Sequence, residues 1–321
     1  MVLTALITRD FVLHTLPSIP VITIAYVLLV LFISIIVLAY PAFRFKSHNT
    51  FENTHRFAGW LSIGLFWAEL ILFCEALRAG TTKSLGDVLI TEPTFWFLII
   101  ITFHIILPWL RLRKITVRPE KLSKHALRVH FPMTLKPFSG IAISDSPLKE
   151  WHPFATFPAT DGSGKGGSLI ISHAGDWTRK TIDNPKTQYW IKGVPKTGVL
   201  SMACIFRSCV IVTTGSGIGP CLSILVDPSR KTQCRVLWSA PGPLQTFGQE
   251  IVDTVKKVDE HAVIWDTKVS GRPDMVAITY QLYIESGAEA IFIISNPKLT
   301  RKVVYGMESR GVPAFGPIWD S

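Results

Sequence analysis

From Phe11 to Phe43 the chain carries no Asp, Glu, Lys or Arg. No other feature restricts the fold so strongly. Pro20 to Phe43 alone supplies the roughly 20 apolar residues that one membrane-crossing helix requires. In lipid a helix is what such a segment must form, because only internal hydrogen bonds can satisfy its backbone. The run is too long for a cleavable signal, and no small-residue cleavage site follows it. Two further candidates are Arg56 to Leu77 and Phe95 to Leu112. The composition agrees: 48% of the 321 residues are hydrophobic and 17% charged, with a mean hydropathy of +0.34. That is too apolar for an ordinary soluble protein and long enough for a membrane part (1–112) plus one or two domains.

The net charge of +10 is concentrated where a membrane flank would have it. Arg111, Arg113, Lys114, Arg118, Lys121 and Lys124 directly follow the third apolar segment. No recognition motif accompanies them, so the reading is a membrane partner and no nucleic acid. Arg44, Lys46 and Arg56 flank the first loop. Three spans then place the N-terminus away from the cytosol and everything after Leu112 within it. Glu69 falls in mid-span, and Glu75 and His104 lie in the second and third spans. Ionisable groups at such depth are costly, so Glu69 is a candidate catalytic residue, with a buried hydrogen-bonding role as the alternative. The five cysteines form no CxxC pair, which predicts reduced thiols and no metal site.

After Leu112 the texture changes. Short segments such as "HALRVHF", "HPFATFP" and "SLIISHAG" are punctuated by Gly, Pro, Ser and Asp, the pattern of an antiparallel β-barrel over 113–205. Over 206–321 β-type runs alternate with helical ones: "VIVTTG" then "PCLSIL", "CRVLWS" then "FGQEIVDTVKKV", "HAVIWDT" then "MVAITYQLYIESG", "AIFIIS" then "KLTRKVVYGMESRG". Four such units predict a doubly wound α/β domain with a parallel sheet. After its first strand, Gly215, Ser216, Gly217, Ile218, Gly219 and Pro220 form a turn whose glycines let a pyrophosphate approach backbone N–H groups at a helix start.

A barrel followed by such a domain is the arrangement of ferredoxin–NADP reductase-like flavoproteins. "HPFAT" (His152 to Thr156) resembles the flavin-contact motif of their ferric reductase and NADPH oxidase branch. "HAGDWTRK" (His173 to Lys180) resembles that branch's flavin-diphosphate segment, "GSGIGP" its pyridine-nucleotide loop, and "GRPDM" (Gly271 to Met275) a second nucleotide-contacting element. "HRFAGW", "SDSPLKEWHPFAT" and the ending "RKVVYGMESRGVPAFGPIWDS" resemble the fungal TmpA-like transmembrane flavoproteins over nearly the whole chain. Those proteins also occur fused to adenylate-forming modules, which these 321 residues do not contain. The resemblance implies FAD, with His152, Pro153, Phe154 and Thr156 at the flavin ring and Asp176, Trp177 and Thr178 at the diphosphate. It also implies NADPH or NADH at the glycine turn, with Arg272 beside the nucleotide. Ser295-Asn296-Pro297 departs from the family's Cys-Gly-Pro near the nicotinamide. Trp319 is either an aromatic cover for the flavin or an anchor for the tail.

The expected activity is that of a membrane-anchored NAD(P)H-dependent flavoprotein oxidoreductase, an integral multi-pass protein with both nucleotide domains in the cytosol. The cofactor carries the chemistry and the protein orients it. The acceptor, a lipophilic or pathway-specific small molecule, is not named by any motif. Two other readings stand beside this one. A haem-using transmembrane electron carrier would need paired histidines, but His55 and His104 lie at different depths. A flavin-binding scaffold without donor activity draws its support from Ser295.

Overall fold

The computed structural model describes residues 2–13, 19–160 and 165–317. The chain divides into two compact units, Met1–Leu110 and Arg111–Asp320. The first is helical: α1 (Val2–Val12), α2 (Ile19–Ala39), α3 (Pro41–Lys46), α4 (His48–Arg78), α5 (Leu85–Thr91) and α6 (Pro93–Ile106). Three helices, Ile19–Ala39, Thr50–Arg78 and Pro93–Arg111, are long and apolar enough to cross a membrane. On α2, Val30 and Ile36 are 62% and 67% exposed, an apolar exterior that water would not favour. Within the unit Phe32 of α2 meets Phe66 of α4 at 5.9 Å, and Trp67 Nε1 donates to Thr102 Oγ1 at 3.0 Å, tying α4 to α6.

The second helix starts earlier than its apolar pattern predicts. A Glu52–Arg56 ion pair one turn apart carries it back to His48. The third becomes irregular sooner, because Pro108 has no N–H to continue the ladder, and a 3₁₀ turn (Trp109–Arg111) follows. Between them Ser84 and Asp87 form a capping box that starts α5, and Pro93 at a first-turn position opens α6.

The second unit opens with β1 (Arg113–Thr116), β2 (Arg118–Lys121), β3 (Ala126–Phe131), β4 (Ser139–Ser144), β5 (His152–Pro158), β6 (Gly167–Ser172), α7 (Asp176–Asp183) and β7 (Gln188–Thr197). The strands form one antiparallel sheet, ordered β1-β7-β4-β5-β6-β3-β2. Its two edges are consecutive strands joined through Val117, so the sheet curls into a near-closed barrel. Leu127, Val129, Ile143, Leu169, Ile171 and Tyr189 fill its interior. The strand period then turns Ala126, Ser168 and Ile170 to the other face.

A five-stranded parallel sheet follows: β8 (Ser208–Thr214), β9 (Gln233–Ala240), β10 (Val263–Asp266), β11 (Ala290–Ile294) and β12 (Ala314–Phe315), in the order β10-β9-β8-β11-β12. Between them run α8 (Ile218–Leu225), α9 (Pro243–Phe247), α10 (Gln249–Val258), α11 (Thr267–Ser270), α12 (Met275–Ser286) and α13 (Pro297–Glu308). Val210, Val212, Ile291 and Ile293 pack one sheet face on α12 and α13. Ile211, Val236 and Phe292 pack the other on α8 and α10, in a core that also takes Ala126, Phe157 and Ile170 from the barrel. That shared core sets the barrel wall against the β8 end. The fifth strand was not expected; its Phe315 stacks on Phe292 at 5.2 Å.

Candidate functional site

Chain order reverses between β8 and β11, and open α/β sheets hold ligands in the crevice at such a point. The glycine turn leaves β8 there. Gly215 has φ +53° with open space where a Cβ would stand, so its need for glycine is conformational. Gly217 differs. A Cβ on it would lie 2.5 Å from the Ile294 carbonyl and 2.5 Å from Thr213 Oγ1. The expectation that its missing Cβ makes room for a ligand is therefore corrected: the space is taken by β11 of the protein itself. At Gly219 a Cβ would make ordinary contact with Ile170 at 3.5 Å, and Ile218 is fully buried. The turn's outer rim is anchored by Trp238, whose Nε1 donates to the Gly215 carbonyl at 3.0 Å.

A cavity of about 650 Å³ opens in front of this turn. It brings together Pro153, Phe154 and Thr156 of β5, Gly215 to Gly217 and Pro220 of the turn, and Ser295 to Pro297 at the start of α13. Sequence reasoning missed several of its walls: Phe138, Ser139, Ser172, Val199, Thr214 and Pro317. Phe138 is the least foreseeable. It adopts φ +60°, a conformation a bulky residue rarely takes, with its N–H donating to Ser223 Oγ of α8 and its carbonyl accepting from Gly198 N at 2.9 Å.

Two hydroxyls of the cavity lining are hydrogen-bonded within the protein. Thr156 is fully buried, and its Oγ1 donates to the Ser139 carbonyl at 2.8 Å, so that proton is engaged within the barrel wall rather than offered to a flavin. Ser295 is 5% exposed and hydrogen-bonds to Thr214 Oγ1 across the ends of β8 and β11. The Ser-Asn-Pro run has a local reason as well. Asn296 Oδ1 accepts from Leu299 N at 3.0 Å as the cap of α13, and Pro297 occupies its first turn.

The second flavin segment lies at the α7 end of the barrel. His152 does not line the cavity; it stacks on Trp177 at 3.9 Å and 21°, and Phe154 lies 6.1 Å from the same indole. Trp177 Nε1 is buried with no acceptor among the described residues. Asp176 begins α7 as expected of a helix start. Thr178 Oγ1 accepts from Ala174 N and Gly175 N, both at 2.9 Å, and donates to the Gly175 carbonyl. Its hydroxyl thus closes its own turn.

Arg272 does not line the cavity. It sits exposed in the α11–α12 loop, where Gly271 has φ +68° and its carbonyl accepts from Trp265 Nε1 at 2.9 Å. Glu69 belongs to the helical unit; it is 8% exposed, and its Oε1 has no partner among the described residues. Trp319 lies outside the described residues.

Residues 199–321 match a family model described as the C-terminal domain of adenylate-forming reductase 03009. Over 320 residues the chain is 48% identical to adenylate-forming reductase 03009 of Coprinopsis cinerea, covering 99% of this chain and 31% of that protein. Adenylate-forming reductase 06235 of the same fungus is 46% identical over 321 residues, again with 31% of its length covered. The chain thus spans about a third of the curated relatives it matches. Among solved structures it resembles a ferredoxin–NADP+ reductase from Neisseria gonorrhoeae with bound FAD and NADP (TM-score 0.51, 12% identity, 64% of this chain and 98% of that one). It also resembles a flavohemoglobin from Malassezia yamatoensis with bound FAD and haem (TM-score 0.53, 14% identity, 92% and 84%). At these identities the likeness concerns the fold: a near-closed antiparallel barrel joined to a parallel α/β sheet, as in ferredoxin–NADP reductase-type proteins.

Proposed function

We propose that this protein is an NAD(P)H-dependent flavoprotein oxidoreductase anchored in a membrane, passing electrons to a lipophilic acceptor. One observation carries the reading: a single cavity is walled by the HPFAT strand, the glycine turn and the Ser295 segment, three elements far apart in sequence. The relatives' name, reductase, and the FAD and NADP bound by a protein of like fold support it.

The residues present fit FAD and a nicotinamide dinucleotide. Phe138 and Phe154 both wall the cavity, and the orphaned Trp177 Nε1 belongs to an indole 6.1 Å from the Phe154 ring. Arg179 and Lys180, in the middle of α7, add positive charge for a diphosphate. The glycine turn and the N-terminus of α8 supply backbone N–H groups for a second one. The hydroxyls of Thr214 and Ser295, which both line the cavity, would face a nicotinamide held there. FAD held there would supply the chemistry of accepting hydride and passing electrons on. The protein's part is to hold the rings apart from water and in line. The three apolar helices support membrane anchoring, and the basic residues after the third favour an N-terminus away from the cytosol with both sheets within it. Glu69, buried and unpartnered at Oε1, is the group in that unit suited to handling a proton for the acceptor.

The test is spectroscopic. The full chain, purified in detergent and supplied with FAD, should retain flavin whose visible bands bleach anaerobically on adding NADPH or NADH. Retained flavin that stays oxidised with both donors would refute the donor half and leave a scaffold. A Soret band would favour the haem carrier instead.

A further inference from the structure

Outside the cavity, three of the five cysteines gather at the opposite, N-terminal end of the parallel sheet. Cys209 and Cys234 stand directly opposite each other on the neighbouring strands β8 and β9. Their sulfurs lie 3.9 Å apart, within thiol hydrogen-bond reach. Both side chains are buried, 1% and 7% exposed, in the same apolar core. Cys204, two residues before Phe206 in the 3₁₀ segment that leads into β8, is exposed. Nothing in the proposed oxidoreductase chemistry uses this group.

We propose that Cys209 and Cys234 are a peroxide-oxidisable dithiol that closes to a disulfide between β8 and β9. The backbone already meets the geometric demand. Strands in a sheet run about 4.8 Å apart, inside the roughly 4.4–6.8 Å Cα separation that disulfides adopt. Closing the bond therefore requires side-chain rotation and a sulfur approach of about 2 Å, not a shift of either strand. The two thiols are also unequal. The hydrogen bond with Cys209, with Arg230 close by, holds the Cys234 thiol below its ordinary value despite burial. Cys209 is pushed up by the same hydrogen bond and by burial. Cys234, the more exposed of the two at 7% against 1%, is thus the sulfur that reacts first, and Cys209 the one that resolves.

The step balances with hydrogen peroxide as the oxidant. The Cys234 sulfur attacks one peroxide oxygen, the O–O bond breaks, and water leaves to give a sulfenic acid. The Cys209 sulfur then attacks the sulfenic sulfur, the S–O bond breaks, and its thiol proton departs with the hydroxyl as a second water. Two thiols lose two electrons and the peroxide gains them. An external dithiol supplies the two electrons that reopen the bond.

The experiment is mass spectrometry of the full chain in detergent, titrated with hydrogen peroxide after complete reduction. The expected result is a loss of about two mass units, matching one disulfide. Non-reducing digestion should then yield a Cys209–Cys234 cross-linked peptide, with Cys74 and Cys221 still open to alkylation once the protein is unfolded. Cys204→Ser should leave the cross-link intact, whereas Cys209→Ser should abolish it and trap Cys234 as a dimedone-reactive sulfenic acid. A cross-link through Cys204 would overturn the proposal. So would a parent protein whose Cys209 and Cys234 remain alkylatable after peroxide, and that result needs no variant to fold.

Discussion

Gly217 carries the clearest residue-scale prediction. With Ile294 O and Thr213 Oγ1 at 2.5 Å from any Cβ, Gly217→Ala must push the turn off β11. Overpacking of this kind costs about 1–3 kcal/mol. Chemical unfolding should register that loss, together with weaker reduction by NAD(P)H. A variant with parental stability that is merely blind to the nucleotide would show that the clash is not real. Thr178→Ala removes a hydroxyl that accepts two backbone N–H groups, a loss worth about 1 kcal/mol for a helix cap. It should loosen the start of α7 and lower the FAD retained through purification; unchanged flavin stoichiometry would separate α7 from the flavin. Phe138→Gly tests the strained aromatic. Relief of the φ +60° backbone offsets part of the lost packing, so flavin affinity should fall while the melting temperature moves by only a few degrees.

Among elements, the contact between α10 and the barrel governs pH dependence. Arg128, 3% exposed at its side chain, donates from Nη1 to Glu250 of α10 at 2.8 Å, from Nη2 to Thr160 at 2.9 Å and from Nε to Ser168 at 3.2 Å. Ser168 in turn meets His130 Nδ1 at 3.1 Å, and His130 Nε2 meets Glu120 at 2.6 Å. Burial, aided by Arg128 and Arg118, holds the His130 imidazole below its ordinary 6.5, against the pull of Glu120. Burial opposes ionisation of Glu250, but hydrogen bonds from Thr160 and Arg128 and the Arg128 charge hold its carboxyl below the ordinary 4.5. Both groups bind protons less readily folded than unfolded, so stability present at neutral pH is lost on acidification. The loss begins as pH falls below 6.5 through His130 and resumes below 4.5 through Glu250. Thermal unfolding between pH 8 and 4 should trace two declines, with Glu250→Gln lacking only the lower one. A flat profile in the parent would contradict the assignment.

For the whole molecule, the topology is the testable quantity. Three crossings put an N-terminal tag on the side opposite residues 113–321. In sealed vesicles with those residues outermost, added protease should remove the nucleotide-binding sheets and spare the tag. Cleavage of both would require an even number of crossings.

What the sequence determined by itself was whatever depends on local period and composition. A charge-free run of this length has one stable form in lipid, and alternating or β-branched runs punctuated by glycine and proline mark strands and turns. Hence the helices, the barrel segments and the parallel α/β units were legible, as was the glycine turn after β8. The convergence of "HPFAT", "GSGIGP" and Ser295 on one cavity was not, because contacts between residues 60 to 140 apart leave no periodic trace. Only tertiary structure decided that Gly217 is needed for β11, that Thr156 and Thr178 are engaged with their own backbone, and that Phe138 joins the wall. The physical reason is the same in each case. A motif fixes which donors and acceptors a chain carries, but partner choice depends on what the fold brings within about 3 Å of them.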